Sequence, residues 1–185
     1  EEKVYSGVST LVGNGPLEQA MQVEFDKLGP VVFDTEDASF ADEIRKTLTA
    51  DDIAASFQRA GRGTPPDLPL CDFVAPLERS STGSEGSTDV GDVSWVTPTV
   101  QAQVATCAVG TPFHTWQTVA QGKAPAAHKG MVHAAKVMAS TAAHLINSPE
   151  TLQAARNVHD QRRNTTPYVC PIPSDQKPPI VGERS

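Results

Sequence analysis

Two stretches carry residue types that could do chemistry. "GSTDVGDVSW" (residues 86–95) holds Ser87, Thr88, Asp89 and Asp92, and "GTPFHTWQ" begins at Gly110 and carries His114. A histidine after a Gly-Thr-Pro-Phe turn, at the end of a strand-like run, lies where ligands collect in open α/β sheets. The two aspartates, three apart, could act as metal ligands or as acceptors beside one. The plainer alternative is loop aspartates bonding their own backbone in turns. A metal centre needs three or four converging ligands, and spacing along the chain does not show what converges.

The other four histidines fit a metal less well. His133 and His144 return to nearly one helical face but stand roughly 16 Å apart along the axis. His128 and His133 are five apart, and none of these pairs has the i, i+4 geometry of a helical metal site. His159 reads as one of the exposed residues of a last helix, so all four read as solvated or structural. No nucleophile elbow, P-loop or dinucleotide fingerprint stands out.

Composition narrows the class further. The 185 residues suffice for one domain, and only 38% are hydrophobic and 5% aromatic. Fifteen prolines and 13 glycines imply much irregular backbone. A formal charge of −7, without a basic run, argues against nucleic acid. Cys71, Cys107 and Cys170 are far apart with no C-x-x-C spacing, which points to thiols and a cytoplasmic protein. No apolar stretch approaches the ~18 residues of a membrane span. The opening "EEKVYSGVST" reads as the continuation of something longer, whereas the proline-rich close from Pro167 reads as a natural end.

The elements that must position these residues can be read from periodicity. Leu17, Met21, Phe25 and Leu28 predict a helix over 16–28, stopped by Gly29-Pro30. A second helix is expected from Glu36 to Leu48, with Thr35 as N-cap and Phe40, Ile44 and Leu48 on one stripe. Thr49 and Asp52 form a capping-box pattern opening a short helix that ends near Gly61. Residues 61–92 read as a long loop, with a short strand around Cys71–Val74. "TPTVQAQVATCAVG" alternates and predicts a strand covered on both faces. Met131, Ala135, Met138, Ala142, Leu145 and Ile146 then form an apolar stripe on a helix from Ala126 to Asn147, alanine-rich enough to lie close on a sheet. Ser148-Pro149-Glu150 opens a last helix running to Arg162-Arg163. The expected class is α/β, a central sheet flanked by helices.

"SGVSTLVGN", "GSTDVGDVSW", "GTPFHTWQ", "AHKGM" with "AAKVMA", and "TPYVCPIP" together resemble the C-terminal part of the B-subunit type p-aminobenzoyl-glutamate hydrolases. These are amidohydrolases of metallopeptidase family 20, with the aminoacylases and glutamate carboxypeptidases. The resemblance implies the C-terminal portion of a di-metal, aminopeptidase-like catalytic domain whose inserted lid domain is absent here. Residues 1–14 would be the return from that lid, 15–175 the catalytic portion, and 176–185 an irregular tail. Two divalent ions, zinc or manganese, would activate water to cleave the amide of an N-acyl or N-aroyl amino acid, plausibly p-aminobenzoyl-glutamate. His114 matches the last metal ligand, and Ser87, Thr88, Asp89 and Asp92 would line the cleft. Cys107 departs from the family, which often has a larger aromatic there.

No catalytic residue is identified in the chain. The resemblance places the general base and the other ligands in the first half of the catalytic domain, so the segment alone should be inactive. Its implied partners are a small-molecule amide substrate and the remaining half-domain or a second chain, in a homodimer or heteromer, with no nucleic acid and no membrane. The alternative is a truncated, non-catalytic relative serving as a protein-binding module, favoured by the missing base. The two separate on whether the residues that complete the site accompany the chain.

Overall fold

The computed structural model describes residues 4–59, 67–77 and 88–177. Seven helices order them: α1 Gly15–Leu28, α2 Thr35–Arg45, α3 Ala50–Arg59, α4 Asp89–Val96, α5 Trp116–Gln121, α6 Pro125–Ile146 and α7 Pro149–Thr165. Among the described residues there is no strand, so the expected α/β class with a central sheet is overturned. None of these helices is long and apolar enough to cross a membrane.

Local capping chemistry sets the helix starts. The Asn14 side chain accepts from Leu17 N–H at the head of α1, and Gly29, at φ 71°, returns its N–H to Phe25 O at the end. That positive φ suits glycine. The N-cap of α2 is Asp34 and not the expected Thr35: its carboxylate accepts from Glu36 and Asp37 N–H, and Asp37 accepts back from Asp34 N–H. One oxygen, Asp34 Oδ1, takes both helix-end N–H groups, at 3.0 and 2.9 Å, and the other is left for Lys129. The expected Thr49–Asp52 reciprocal pair does open α3, with Asp52 N–H donating to Thr49 Oγ1 at 3.1 Å and Thr49 N–H to Asp52 Oδ2 at 3.3 Å. Its expected end near Gly61 lies outside the described residues.

The run 98–109 is the main correction. Gln101 and Gln103 are exposed while Val100, Ala102 and Val104 are half-buried, so the alternation holds only as far as Val104. Beyond it Ala105 is half-buried and Thr106 exposed, and the expected cover on both faces is absent at Gln101 and Gln103. No second strand among the described residues completes a ladder, and a strand is defined by its partner's hydrogen bonds. The segment is held instead by side chains and close approach. Val109 N–H bonds Pro69 O at 2.9 Å, and Ala108 N–H bonds the buried Gln121 Oε1 at 2.7 Å. Gly130 lets α6 come so near that a Cβ there would lie 2.1 Å from Ala105 O. Cys71–Val74 likewise forms no strand. The expected loop over 61–92 ends at Thr88, because 89–92 are already the first turn of α4; 61–66 and 78–87 lie outside the described residues.

Two packed regions follow. One joins Ala41 and Ile44 of α2 to Leu70, Ala108 and Ala126, with Phe33 against them. Phe40 is turned outward, so the buried stripe of α2 is rotated from the expected one onto Asp37, Ala41 and Ile44. In the other, α1 packs on α6 and α7 through Leu17, Ala20 and Met21, Val137 and Thr141, and Ala155. The buried face of α6 is Ala126, Gly130, Val137 and Thr141. The apolar stripe read from periodicity points elsewhere: Met131 is 62% exposed, Met138 55% and Ile146 77%. With no strand among the described residues to lie on, α6 turns Gly130, Val137 and Thr141 toward α1 and the 98–109 segment and leaves Ala135 and Ala142 exposed.

Candidate functional site

Three of the motifs that carry the resemblance, "SGVSTLVGN", "GSTDVGDVSW" and "TPYVCPIP", lock onto one another. Thr88 caps α4 by accepting from Val90 N–H, and Asp89 beside it is exposed. Gly91 lies against the chain at Ser9, where a Cβ would come within 1.8 Å of Ser9 O. Asp92 accepts from Ser9 Oγ (2.7 Å) and Tyr168 OH (2.8 Å). Ser94 Oγ accepts from Val12 N–H at 2.8 Å, and Trp95 Nε1 donates to Thr10 O at 3.1 Å. The Tyr168 ring stacks on Trp95, with centroids 6.2 Å apart. So "GSTDVGDVSW" clamps the 9–12 segment on one side and the 166–171 tail on the other. The Ser9 and Tyr168 hydroxyls hold the Asp92 carboxyl below its usual pKa, and Asp92 in turn raises the phenol of Tyr168. Ser87 lies outside the described residues.

His114 sits in a separate, heavily braced turn. Thr111 Oγ1 donates to Ala108 O (2.7 Å), and Thr115 and Thr118 hydroxyls both donate to Pro112 O (2.8 and 2.7 Å). Gln121, 3% exposed, joins both ends of the turn by accepting from Ala108 N–H and donating to Thr111 Oγ1. Gly110, at φ 95°, leaves room for Ile53 of α3, which a Cβ would meet at 2.7 Å. His114 itself has φ 62°, the one non-glycine positive φ among the described residues. A left-handed histidine over-determined by its surroundings is the kind of local strain found at functional positions. His114 is exposed, and so are Phe113 and Trp116 beside it in the sequence. Phe113 and Trp116 were absent from the sequence-derived site, although both stand in the quoted motif; their exposure is a tertiary fact.

The described residues alone do not fit a metal ion. No group of three or more His, Cys, Asp or Glu side chains among them converges, so His114, Asp89 and Asp92 do not form one donor set. No catalytic step is derived through a metal within these residues.

The other chemistry-bearing groups join elements. Glu24, 4% exposed between α1 and α6, accepts from Lys27 Nζ (2.7 Å), from the Ser140 hydroxyl, and pairs with His144 Nδ1 (2.8 Å). His133 lies tilted beside Phe25, with ring centroids 6.4 Å apart. His159 is 7% exposed, not the surface residue its helix suggested. Lys129 of "AHKGM" donates to Asp34 (2.6 Å) and Asp37, tying α6 to the capping box of α2.

The Glu24 network has a pH consequence. Hydrogen bonds from Lys27, Ser140 and His144 lower its carboxyl from 4.5 to about 2, against the opposing effect of burial. The folded pKa lies below the unfolded one, so the unfolded chain binds the extra proton first. The stabilisation is complete above about 4.5 and is lost as pH falls toward about 2. Glu24→Gln is expected to flatten the acid limb of the urea midpoint in that window; an unchanged limb would remove Glu24 as its cause.

The interlocked segments and the braced histidine turn are built from the motifs that carry the resemblance, and comparison with known proteins bears on it directly. The chain is 39% identical, over 180 residues and 92% of its own length, to the B subunit of p-aminobenzoyl-glutamate hydrolase from Escherichia coli (strain K12). It is therefore a B-subunit type relative, and it spans 37% of that relative's length. No family model matches the chain, and no solved structure matches it.

Proposed function

We infer that this chain is a portion of a hydrolase that cleaves the amide bond of an N-acyl or N-aroyl amino acid, p-aminobenzoyl-glutamate being the substrate class named by its relative. The observation that carries the reading is the 39% identity over 92% of the chain to that relative. The braced, exposed, left-handed His114 supports it, since such a turn spends conformational energy on presenting one imidazole outward.

His114 is the residue we assign as one ligand of a divalent ion, zinc or manganese, in a two-ion site. Its other ligands and the general base would come from polypeptide outside these 185 residues. When bound, such an ion acidifies water and polarises an amide carbonyl. The chain's own contribution is positional: Gln121, Thr111, Thr115 and Thr118 fix the backbone of the turn, so residue 114 is placed before any partner group arrives. Asp89, at the head of α4, is the cleft-lining candidate that is exposed, whereas Thr88 is engaged as the helix cap and Asp92 as a clamp.

The test is a chimera: the E. coli relative carrying this chain in place of its matched segment. We expect it to fold and to hydrolyse p-aminobenzoyl-glutamate together with whatever partner chain the parent requires. A folded chimera that is inert, beside an active parent, would overturn the reading and favour a non-catalytic binding module.

A further inference from the structure

α6 presents two faces of opposite meaning. Its buried face, on Gly130, Val137 and Thr141, meets α1 and the 98–109 segment. On the far side, Met131, Ala135, Met138, Ala142 and Ile146 recur at helical spacing of four, three, four and four, and all are exposed. At 100° per residue they occupy one narrow strip of the helix, with Val132, half exposed, at its margin. The 22-residue helix contains no Asp or Glu, and Lys136 is the cation bordering the strip. α7 shows what a solvated outer face looks like in the same molecule: Glu150, Arg156, Asp160, Arg162 and Arg163 are all exposed there. An apolar strip several turns long, left bare beside a charged neighbour, marks an interaction surface.

We propose that this strip is the docking face for the polypeptide that corresponds to the part of the E. coli relative outside the matched segment. The proposal rests on reading the chain as a portion of such a hydrolase. Length argues for that occupant: the relative has 37% of its residues in the matched region, and the remainder must pack against something. Chemistry argues for it too. A strip of alanine and methionine accepts a close, dry, adaptable surface and offers no charge pattern to select an acidic or basic peptide.

The chain carries its own reporters. It has three methionines: Met131 and Met138 in the strip, and Met21, 6% exposed, in the α1 core. Peroxide oxidation read peptide by peptide should be fast at Met131 and Met138 and slow at Met21 in the 185-residue chain. In the chimera, both strip methionines should slow by at least about tenfold, toward the rate of Met21. Met138→Lys should leave the 185-residue chain as stable as before and lower the melting temperature of the chimera.

Fast oxidation of the strip in a chimera that hydrolyses substrate overturns the docking face and leaves the functional reading intact. Protection in an inert chimera does the reverse. Protection in the 185-residue chain alone, rising with concentration, would mean that a second copy covers the strip and would overturn the assignment. Tolerance of Met138→Lys in the chimera would overturn it as well.

Discussion

His114→Asn in the chimera with the E. coli relative is expected to lose p-aminobenzoyl-glutamate hydrolysis by more than the roughly 10–100-fold that removal of a supporting group costs a metal site. Asparagine is the informative replacement because residue 114 has φ 62°, a conformation that Asn adopts more readily than most residues. The turn is thereby kept while the imidazole is removed. Its braces do not involve the His114 side chain: Thr111, Thr115, Thr118 and Gln121 bond to backbone and to one another. Thermal stability should therefore stay close to the parent's, while bound divalent metal per active unit falls. Metal content and kcat/KM measured together make the assignment specific. Unchanged turnover would remove His114 from the site, and lost turnover with a lost fold would be exposed by the melt.

Gly130→Ala is expected to cost stability, and its sign is the opposite of the usual one. Within a helix, alanine is favoured over glycine by about 1 kcal/mol. At residue 130 a Cβ would stand 2.1 Å from Ala105 O and 2.8 Å from Thr106 Cγ2. The first of these is backbone and cannot rotate aside, so either α6 or the 98–109 segment must move. We expect a net loss of about 1–3 kcal/mol, the usual cost of overpacking, read as a lower urea midpoint at unchanged slope. Gly15→Ala, where nothing lies within 4 Å, is the control and should cost nothing. A Gly130→Ala chain as stable as its parent would mean that the approach of α6 to Ala105 is not required. The 108–115 turn follows directly from that segment, so the same substitution should loosen the seat of His114.

Much of the local architecture was legible. The helix over 16–28, the Thr49–Asp52 pair and Ser148-Pro149 at the head of the last helix all depend on groups within four residues of one another. The misassignment of the α2 cap to Thr35 is a local error of the same scale: Asp34, one residue earlier, is the better acceptor. The failures are non-local. Alternation describes which side chains face the protein only over 100–104, and a strand also needs a partner's backbone, with none present among the described residues. The stripe Met131–Ile146 is a true stripe, but periodicity cannot say which face of α6 meets the fold.

The candidate site divides along the same line. The histidine turn could be singled out from "GTPFHTWQ", whereas its bracing by Gln121 and the outward aromatics Phe113 and Trp116 could not. Asp92 drew notice as possible chemistry beside a cleft. Its partners, Ser9 and Tyr168, lie 83 and 76 residues away, and only folding could reveal the clamp they make. Glu24 had no motif to mark it; its burial against Ser140 and His144 gave it a depressed pKa.

By itself, then, the sequence determined where α1, α3, α6 and α7 begin, which turn carries the histidine, and which motifs carry the resemblance, because each is written in neighbouring residues. The tertiary structure decided that the extended run stays unpaired, that α6 turns glycine and valine inward and methionine outward, and that Asp92 holds two distant segments together. Those outcomes depend on which surfaces meet, and burial free energy is indifferent to separation along the chain.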